Sequence, residues 1–356
     1  MYELGENLRE LYAEFWGSSY NPALLRVVSA DNNRTVISAL ASLAGMFPPN
    51  QDTNWNTQLL WLPIPVHTER MLDEITLDLL INCPTNALLK VLESEQLKQF
   101  EEEQKALMQY IQANSGMPIK HLIDLEHAID NLMTRSIHQD AHPLPEWARN
   151  ESFYLQLPQI RAQFFSIFFG PQTFDVAGAW FMNEFLTHME EAISDWTAHR
   201  LILYSAHDSN MRSLAGIINS SLLQSDTNIE FGAWLAFELH SVNGRNYVKV
   251  LYSTNYQSTP REVEIVDCEY PCEFVKFSTL NSRTTTLGWR ALCGKPTSLD
   301  YTHERYLMVL VLVVAILLLL CIVTAGIGTS RTAKAYNTIR KRPSIHYSTM
   351  IESLDD

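Results

Sequence analysis

Along the first 306 residues, short apolar runs alternate with stretches of helical period, and a longer apolar run follows them. Leu24–Ala30 (LLRVVSA) is a short apolar run of the kind that forms a buried strand. Asp31-Asn32-Asn33 is a turn with capping character. Arg34–Phe47 has helical apolar spacing and ends at Pro48-Pro49. Leu201–Ala206 (LILYSA) repeats the scheme, followed by His207-Asp208-Ser209 and a helical run over Asn210–Asn219. Residues 70–200 are mostly helical by period. Ala233–His240, a turn at Val242-Asn243-Gly244-Arg245, and Asn246–Ser253 form a predicted hairpin. No internal repeat or low-complexity linker interrupts the pattern. It predicts an α/β sheet with flanking helices and a largely helical insertion lobe.

The long apolar run, Leu307–Ile327, has 21 residues without a charge, and fifteen are Leu, Ile or Val. A membrane-spanning helix needs about 20. The predicted organisation is therefore a domain over 1–306, one transmembrane helix over 307–327 and a tail over 328–356. Arg331, Lys334, Arg340, Lys341 and Arg342 follow the span, whereas only His303, Glu304 and Arg305 lie just before it. This asymmetry places the tail in the cytosol and 1–306 on the luminal or extracellular side.

Charge and cysteine content agree with that orientation. The chain carries −14 overall and the tail +2, so the remainder carries −16, which argues against nucleic acid as a partner. Four of the five cysteines, Cys83, Cys268, Cys272 and Cys293, lie outside the span, and an even number suggests two disulfides. Cys268 and Cys272 could close a small loop. Zinc is the other reading of their spacing, but no second pair of ligands accompanies them. N-x-S/T triplets occur at Asn33, Asn150 and Asn219. The first residues, MYELGENLRELYAEFW, form an amphipathic charged helix and not a signal peptide. Two expectations follow: a tail-anchored protein with a cytosolic domain, or a true N-terminus upstream of Met1. The basic flank of the span favours the second.

Both strand-to-helix junctions place polar residues at a strand's carboxyl end, where α/β sheets bind ligands. Arg34, in the first turn of its helix, and the neighbouring backbone N–H groups make an anion site. His207 and Asp208 add a hydrogen-bond donor and a general acid. These residues alone suggest a phosphate-ester or carboxylate site. The plainer alternative is a capping aspartate and a solvated arginine.

Leu59–Thr68, LLWLPIPVHT, resembles the LLWQPIPVHT segment of the histidine acid phosphatases of prostatic and lysosomal type. Ser29–Asn50 (SADNNRTVISALASLAGMFPPN) is similar to that family's S-T-D-x-D-R-T helix ending in F-P-P. Leu201–Asn210 (LILYSAHDSN) is similar to its Y-S-A-H-D-T-T motif. The resemblance implies a histidine-phosphatase-like sheet and a phosphomonoester substrate. By it, Arg34 binds the phosphate, His207 hydrogen-bonds a phosphate oxygen, and Asp208 protonates the leaving alcohol. It also implies bridges Cys83–Cys293 and Cys268–Cys272; the family's third bridge has no cysteine here, near Thr134 or at about Trp234. No cofactor or metal is expected, and a homodimer is plausible by analogy alone.

The family signature R-H-G-x-R-x-P supplies a histidine that attacks phosphorus. No Arg-His-Gly occurs in this chain, and the nearest look-alike is His199-Arg200 in reverse order. Met1–Gly5 matches the family region just downstream of that signature. The expectation is a polypeptide that folds poorly and has negligible phosphatase activity, since covalent catalysis requires the nucleophile. The alternatives are a catalytically dead relative that binds phosphorylated ligands, and a tail-anchored interaction protein without enzymatic activity.

Tyr336-Asn-Thr-Ile339 and Tyr347-Ser-Thr-Met350 fit the Y-x-x-apolar pattern read by sorting adaptors. With the span, they predict a type I protein of the lysosomal, endosomal or plasma membrane. Its luminal domain would be glycosylated at Asn150 and Asn219. Asn33 is a poorer acceptor beside the pocket at Arg34. Within the insertion, His127, His138 and His142 read as surface or packing residues.

Overall fold

The computed structural model describes residues 1–17, 19–74, 91–169, 178–194, 199–218, 228–281, 308–319, and single residues 322, 334 and 336. The chain forms two compact units, Met1–Lys295 and Pro296–Asp356.

In the first unit, β1 (Leu25–Ser29) lies between β2 (His67–Thr68) and β3 (Leu201–Ser205), and all three run parallel. The β1–β3 register runs from Leu25 opposite Leu201 to Ser29 opposite Ser205. Side chains alternate across this sheet, so each strand contributes to a core on either face. Leu25 and Val27 enter one core beside Leu201 and Leu203. Val28 and Ala30 enter the other beside Ile202 and Tyr204.

The first core is closed by α1 (Tyr2–Leu11) packed on α2 (Asn33–Met46). Leu4 and Leu8 of the amphipathic α1 meet Ala39, Leu43 and Met46 of α2. The two backbones touch where each helix has a glycine: a Cβ on Gly5 would collide with the Ser42 carbonyl, and one on Gly45 with the Tyr2 carbonyl. Helix α2 begins one residue before the pattern placed it, because Asn32 caps it, its Oδ1 accepting from the Thr35 amide at 3.4 Å.

The insertion is helical, as its period predicts: α3 (Glu95–Ser115), α4 (Leu122–Ile137), α5 (Glu151–Phe168) and α6 (Ala179–Ile193). After β3 comes α7 (Asp208–Ile217), two residues earlier than the pattern suggested, with His207 at its cap position and the His207 amide donating to Asn210 Oδ1 at 2.9 Å. The predicted hairpin is β4 (Trp234–Val242) and β5 (Arg245–Ser253), in antiparallel register from Trp234 opposite Ser253 to Val242 opposite Arg245. Asn243 and Gly244 turn it with φ 51° and 76°, the left-handed pair that a two-residue hairpin requires. Short strands β6 (Arg261–Glu262) and β7 (Cys272–Glu273) pair with β5. Phe185 of α6 packs against Tyr204 of β3 and Phe237 of β4, at ring distances of 5.8 and 4.8 Å. Leu235, Phe237 and Leu239 share the core of Ile202 and Tyr204, so both sheets lie on one helical layer.

Cys268 and Cys272 are bonded to each other, which removes the zinc reading of that pair. Cys83 and Cys293 lie outside the described residues, as do Asn219 and Tyr347. In the second unit, residues 308–319 are helical and exposed. Among the described residues no helix is long and apolar enough to cross a membrane. The expected span at Leu307–Ile327 falls partly outside them, at residues 307, 320, 321 and 323–327.

An ion cluster centred on the buried Arg161 and Glu126 ties the helical lobe to the start of α7. Arg161 of α5 donates from Nε to Glu126 Oε1 of α4 at 2.9 Å and from Nη2 to Asp130 Oδ1 at 3.3 Å. The same Nη2 lies 3.2 Å from Asp208 Oδ2 at the start of α7. Burial pushes the Glu126 carboxyl up to about 7, and the nearby Asp130 and Asp208 add to the rise, while Arg161 opposes it.

Two outcomes follow from this packing. Gly45→Ala, measured by urea unfolding, destabilises the protein by about 1–3 kcal/mol, because backbone and not a flexible side chain blocks the new methyl. The second concerns pH. Folded Glu126 holds its proton more tightly than the ordinary carboxyl near 4.5, so its contribution to stability is complete below that value and is lost as pH rises to about 7. The loss is on the order of 2–3 kcal/mol, and Glu126→Gln flattens the unfolding free energy over that interval. A variant profile parallel to that of the wild type would refute the assignment.

Candidate active site

The β1–β3 pairing sets Ser29 beside Ser205, so the segments leaving both strands emerge together at the sheet's carboxyl edge. Arg34 follows β1 in the first turn of α2, and His207 follows β3 at the cap of α7. Arg34 Nη2 lies 3.4 Å from His207 Nδ1. The two residues that the pattern placed at separate junctions are therefore in contact. Arg34 is exposed, whereas the His207 side chain is only 10% exposed.

A third residue, invisible to the sequence pattern, completes the cluster. Asp73 Oδ1 lies 2.9 Å from His207 Nε2 and accepts from Asn32 Nδ2 at 2.7 Å. Its Oδ2 accepts from the Asp31 amide at 2.6 Å. This network assigns the imidazole proton to Nε2 and leaves Nδ1 to accept from Arg34. Three donors from two loops thus converge on one carboxylate, with a guanidinium alongside. Such an arrangement suits an oxyanion: backbone N–H, amide, imidazole and arginine are the groups that bind phosphate oxygens. Asp73 follows the LLWLPIPVHT segment in a short helical turn, Met71–Glu74, and no spacing rule singles it out.

Asp208 adjoins His207 in the chain but turns the other way. Its Oδ1 accepts from the Ser209 amide at 2.8 Å, and its Oδ2 faces Arg161. The capping position belongs to His207, so Asp208 is more than a helix cap. Arg161 is buried, its guanidinium 4.6 Å from the centre of the Phe165 ring, with Nη1 3.5 Å from Asn228 Oδ1. Burial pulls on its proton, but Asp208, Glu126 and Asp130 outweigh that and hold its pKa above the ordinary value. Arg161 did carry a signal in the sequence. It is the single charged residue between Glu151 and Asp175, in a run rich in phenylalanine. A charge that enters a core must find partners.

The remaining candidates lie apart from this cluster. Asn150 is exposed and caps α5, its Oδ1 accepting from the Phe153 amide at 3.3 Å and from Ser152 Oγ at 2.6 Å. His127, His138 and His142 are exposed, as read from the sequence. Tyr336 is 68% exposed. Among the described residues, no cluster of His, Cys, Asp and Glu could hold a metal ion.

The family model of the histidine phosphatase superfamily (branch 2) matches residues 1–253. Prostatic acid phosphatase of Homo sapiens is 30% identical over 316 residues, covering 85% of this chain and 79% of that protein. Its counterpart in Rattus norvegicus is 29% identical over 301 residues, covering 82% and 77%. Lysosomal acid phosphatase of Homo sapiens is 25% identical over 301 residues, covering 82% and 70%. Among solved structures, the phytase of Klebsiella sp ASR1 matches with a TM-score of 0.58 at 15% identity, over 83% of this chain and 85% of that one. The phytase of Citrobacter braakii matches with 0.57 at 14% identity, over 81% and 87%. At those identities the likeness is one of fold. The family match runs through Arg34, the LLWLPIPVHT segment and His207-Asp208, the residues that meet at the sheet's carboxyl edge, and the chain belongs to the histidine phosphatase superfamily, branch 2, among its acid phosphatases.

Proposed function

We propose that the first unit binds phosphomonoesters at Arg34 and His207, and that Asp208 protonates the leaving oxygen when the family's nucleophile is present. The contact between Arg34 and His207, 3.4 Å apart at the carboxyl edge of β1 and β3, carries this reading. In it a phosphate oxygen takes the place of Asp73 Oδ1 as acceptor of the His207 Nε2 proton, and Arg34 neutralises part of the dianion's charge. The 356 residues contain no Arg-His-Gly triplet. In-line displacement at phosphorus needs such a nucleophile, so this polypeptide binds its ligand without turning it over. The donors already converging on Asp73 favour the related reading of a phosphate-binding relative without catalysis.

We further propose an anchor over Leu307–Ile327, with the first unit in the lumen of a lysosomal or endosomal route or at the cell surface. The relatives named lysosomal acid phosphatase support that compartment. Cys83–Cys293 pairing, glycans on Asn150 and Asn219, sorting adaptors at Tyr336 and Tyr347, and a homodimer belong to the same proposal.

Three measurements test it. The purified chain releases no p-nitrophenol from p-nitrophenyl phosphate at a pH of about 5 beyond the level of Asp208→Asn; turnover that Asp208→Asn abolishes would contradict binding without turnover. Inorganic phosphate binds in calorimetry, and Arg34→Ala weakens it by roughly 10- to 100-fold, the effect of one charge-assisted contact. Equal binding by the variant would remove Arg34 from the site. Expressed in a secretory cell behind a cleavable leader, the chain shifts in mobility on deglycosylation, and Ser152→Ala reduces the shift while leaving the Asn150 cap of α5 in place. No shift at all would remove the glycans on Asn150 and Asn219 from the proposal.

A further inference from the structure

We propose that Arg161 is the positioning residue of Asp208: it holds that carboxylate from the side of the helical lobe while Glu126 and Asp130 compete for the same guanidinium, so the charge presented to a bound oxyanion depends on whether Glu126 carries a proton. The inference rests on the reading of Arg34 and His207 as an oxyanion site.

The geometry leaves Arg161 little freedom. Its Nε is committed to Glu126, its Nη2 is shared between Asp130 and Asp208, and its face covers Phe165. The side chain is 10% exposed and that of Glu126 3%, whereas Asp130 and Asp208 retain 47% and 26%. The charged groups facing Glu126 are Arg161 from α5, Asp208 from α7, Asp130 on its own helix, and His127, whose Nε2 is 4.0 Å away. One guanidinium against three ionised carboxylates leaves the cluster with two excess negative charges beside the residue next to His207. An oxyanion arriving there is repelled. A proton on Glu126 removes one of those charges and leaves Arg161 to Asp130 and Asp208. Glu126 is the most deeply buried of the three carboxylates, and burial raises its proton affinity.

Two arms on the full chain in detergent test this. The first uses sulfate, which keeps one charge state across the range and so reports only the protein's titration. At a pH of about 8, Glu126→Gln binds sulfate roughly 3- to 10-fold more tightly than the wild type, and near 5 the two converge. In an Arg161→Met background the Glu126→Gln gain disappears, because a buried Glu126 without its cation stays protonated throughout. Parallel sulfate curves for wild type and Glu126→Gln would overturn the proposal. The second arm needs no ligand: the Glu126 carboxyl is titrated by carbon-13 NMR in the wild type and in Asp208→Asn. Removing the Asp208 charge returns Arg161 to Glu126, so its midpoint moves to lower pH; an unmoved midpoint would overturn the proposal. Should the wild type bind no sulfate at any pH, the oxyanion reading of Arg34 and His207 fails, and the second arm alone decides whether Arg161 links Glu126 to Asp208.

Discussion

The register of β1 against β3 is the constraint on which the site depends. It places Ser29 opposite Ser205, and from there each strand needs only a few residues to reach its helix. Asn32 and His207 occupy the two cap positions, so Arg34 and Asp208 fall in the first turns of α2 and α7. A slip of one residue would turn each side chain of a strand to the opposite face. Leu25 and Val27 would then leave the core they share with Leu4 and Leu8, and Val28 would leave the core of the helical lobe. Two buried faces therefore hold the register far more firmly than the strand's own hydrogen bonds. The contact between Arg34 and His207 follows from that packing.

Part of this was legible in the chain. Short apolar runs with polar residues at their carboxyl ends identified β1 and β3, and Asn243-Gly244 located the hairpin because few other residues accept two left-handed positions. Helix starts were misplaced by one residue at α2 and two at α7, where the side chains of Asn32 and Asn210 settle the cap. The rest of the site was not legible, for a physical reason. Asp73 meets His207 across 134 residues, and Arg161 meets Glu126 across 35. Hydrophobic period reports which face of a helix is buried; it says nothing about which charge on another helix that face will meet. A lone arginine among phenylalanines announces that it has partners without naming them. The run over Leu307–Ile327 has the composition of a span, but among the described residues, which include 308–319 of it, no helix is long and apolar enough to cross a membrane.

The site and the cluster behind it pull Asp208 in opposite directions. A general acid must carry a proton when the leaving oxygen departs. Arg161 Nη2, 3.2 Å from Asp208 Oδ2, draws the same carboxyl toward the helical lobe. The conflict eases if the guanidinium is divided, because each carboxylate then receives a fraction of its charge. Glu126 and Asp130 divide it. Removing either from the cluster would strengthen the hold of Arg161 on Asp208, so acidic residues that touch no ligand still govern how firmly that carboxyl is held toward the helical lobe.

Asp73 sets the other half of the balance. Its carboxylate collects the Asp31 amide, the Asn32 amide group and the His207 imidazole, the donors an oxyanion would use. A ligand must therefore displace one anion with another, and the net gain is the difference between two similar sets of hydrogen bonds. What tips that difference is charge: a phosphate dianion brings two negative charges beside Arg34, and Asp73, 27% exposed, recovers hydration when released. The same exchange protects the unliganded site. His207 is nearly buried, and an imidazole N–H without an acceptor there would cost about 1–3 kcal/mol. Asp73 removes that cost and keeps the ring in the tautomer that leaves Nε2 as the donor, so the donors stay in place for the ligand that replaces it.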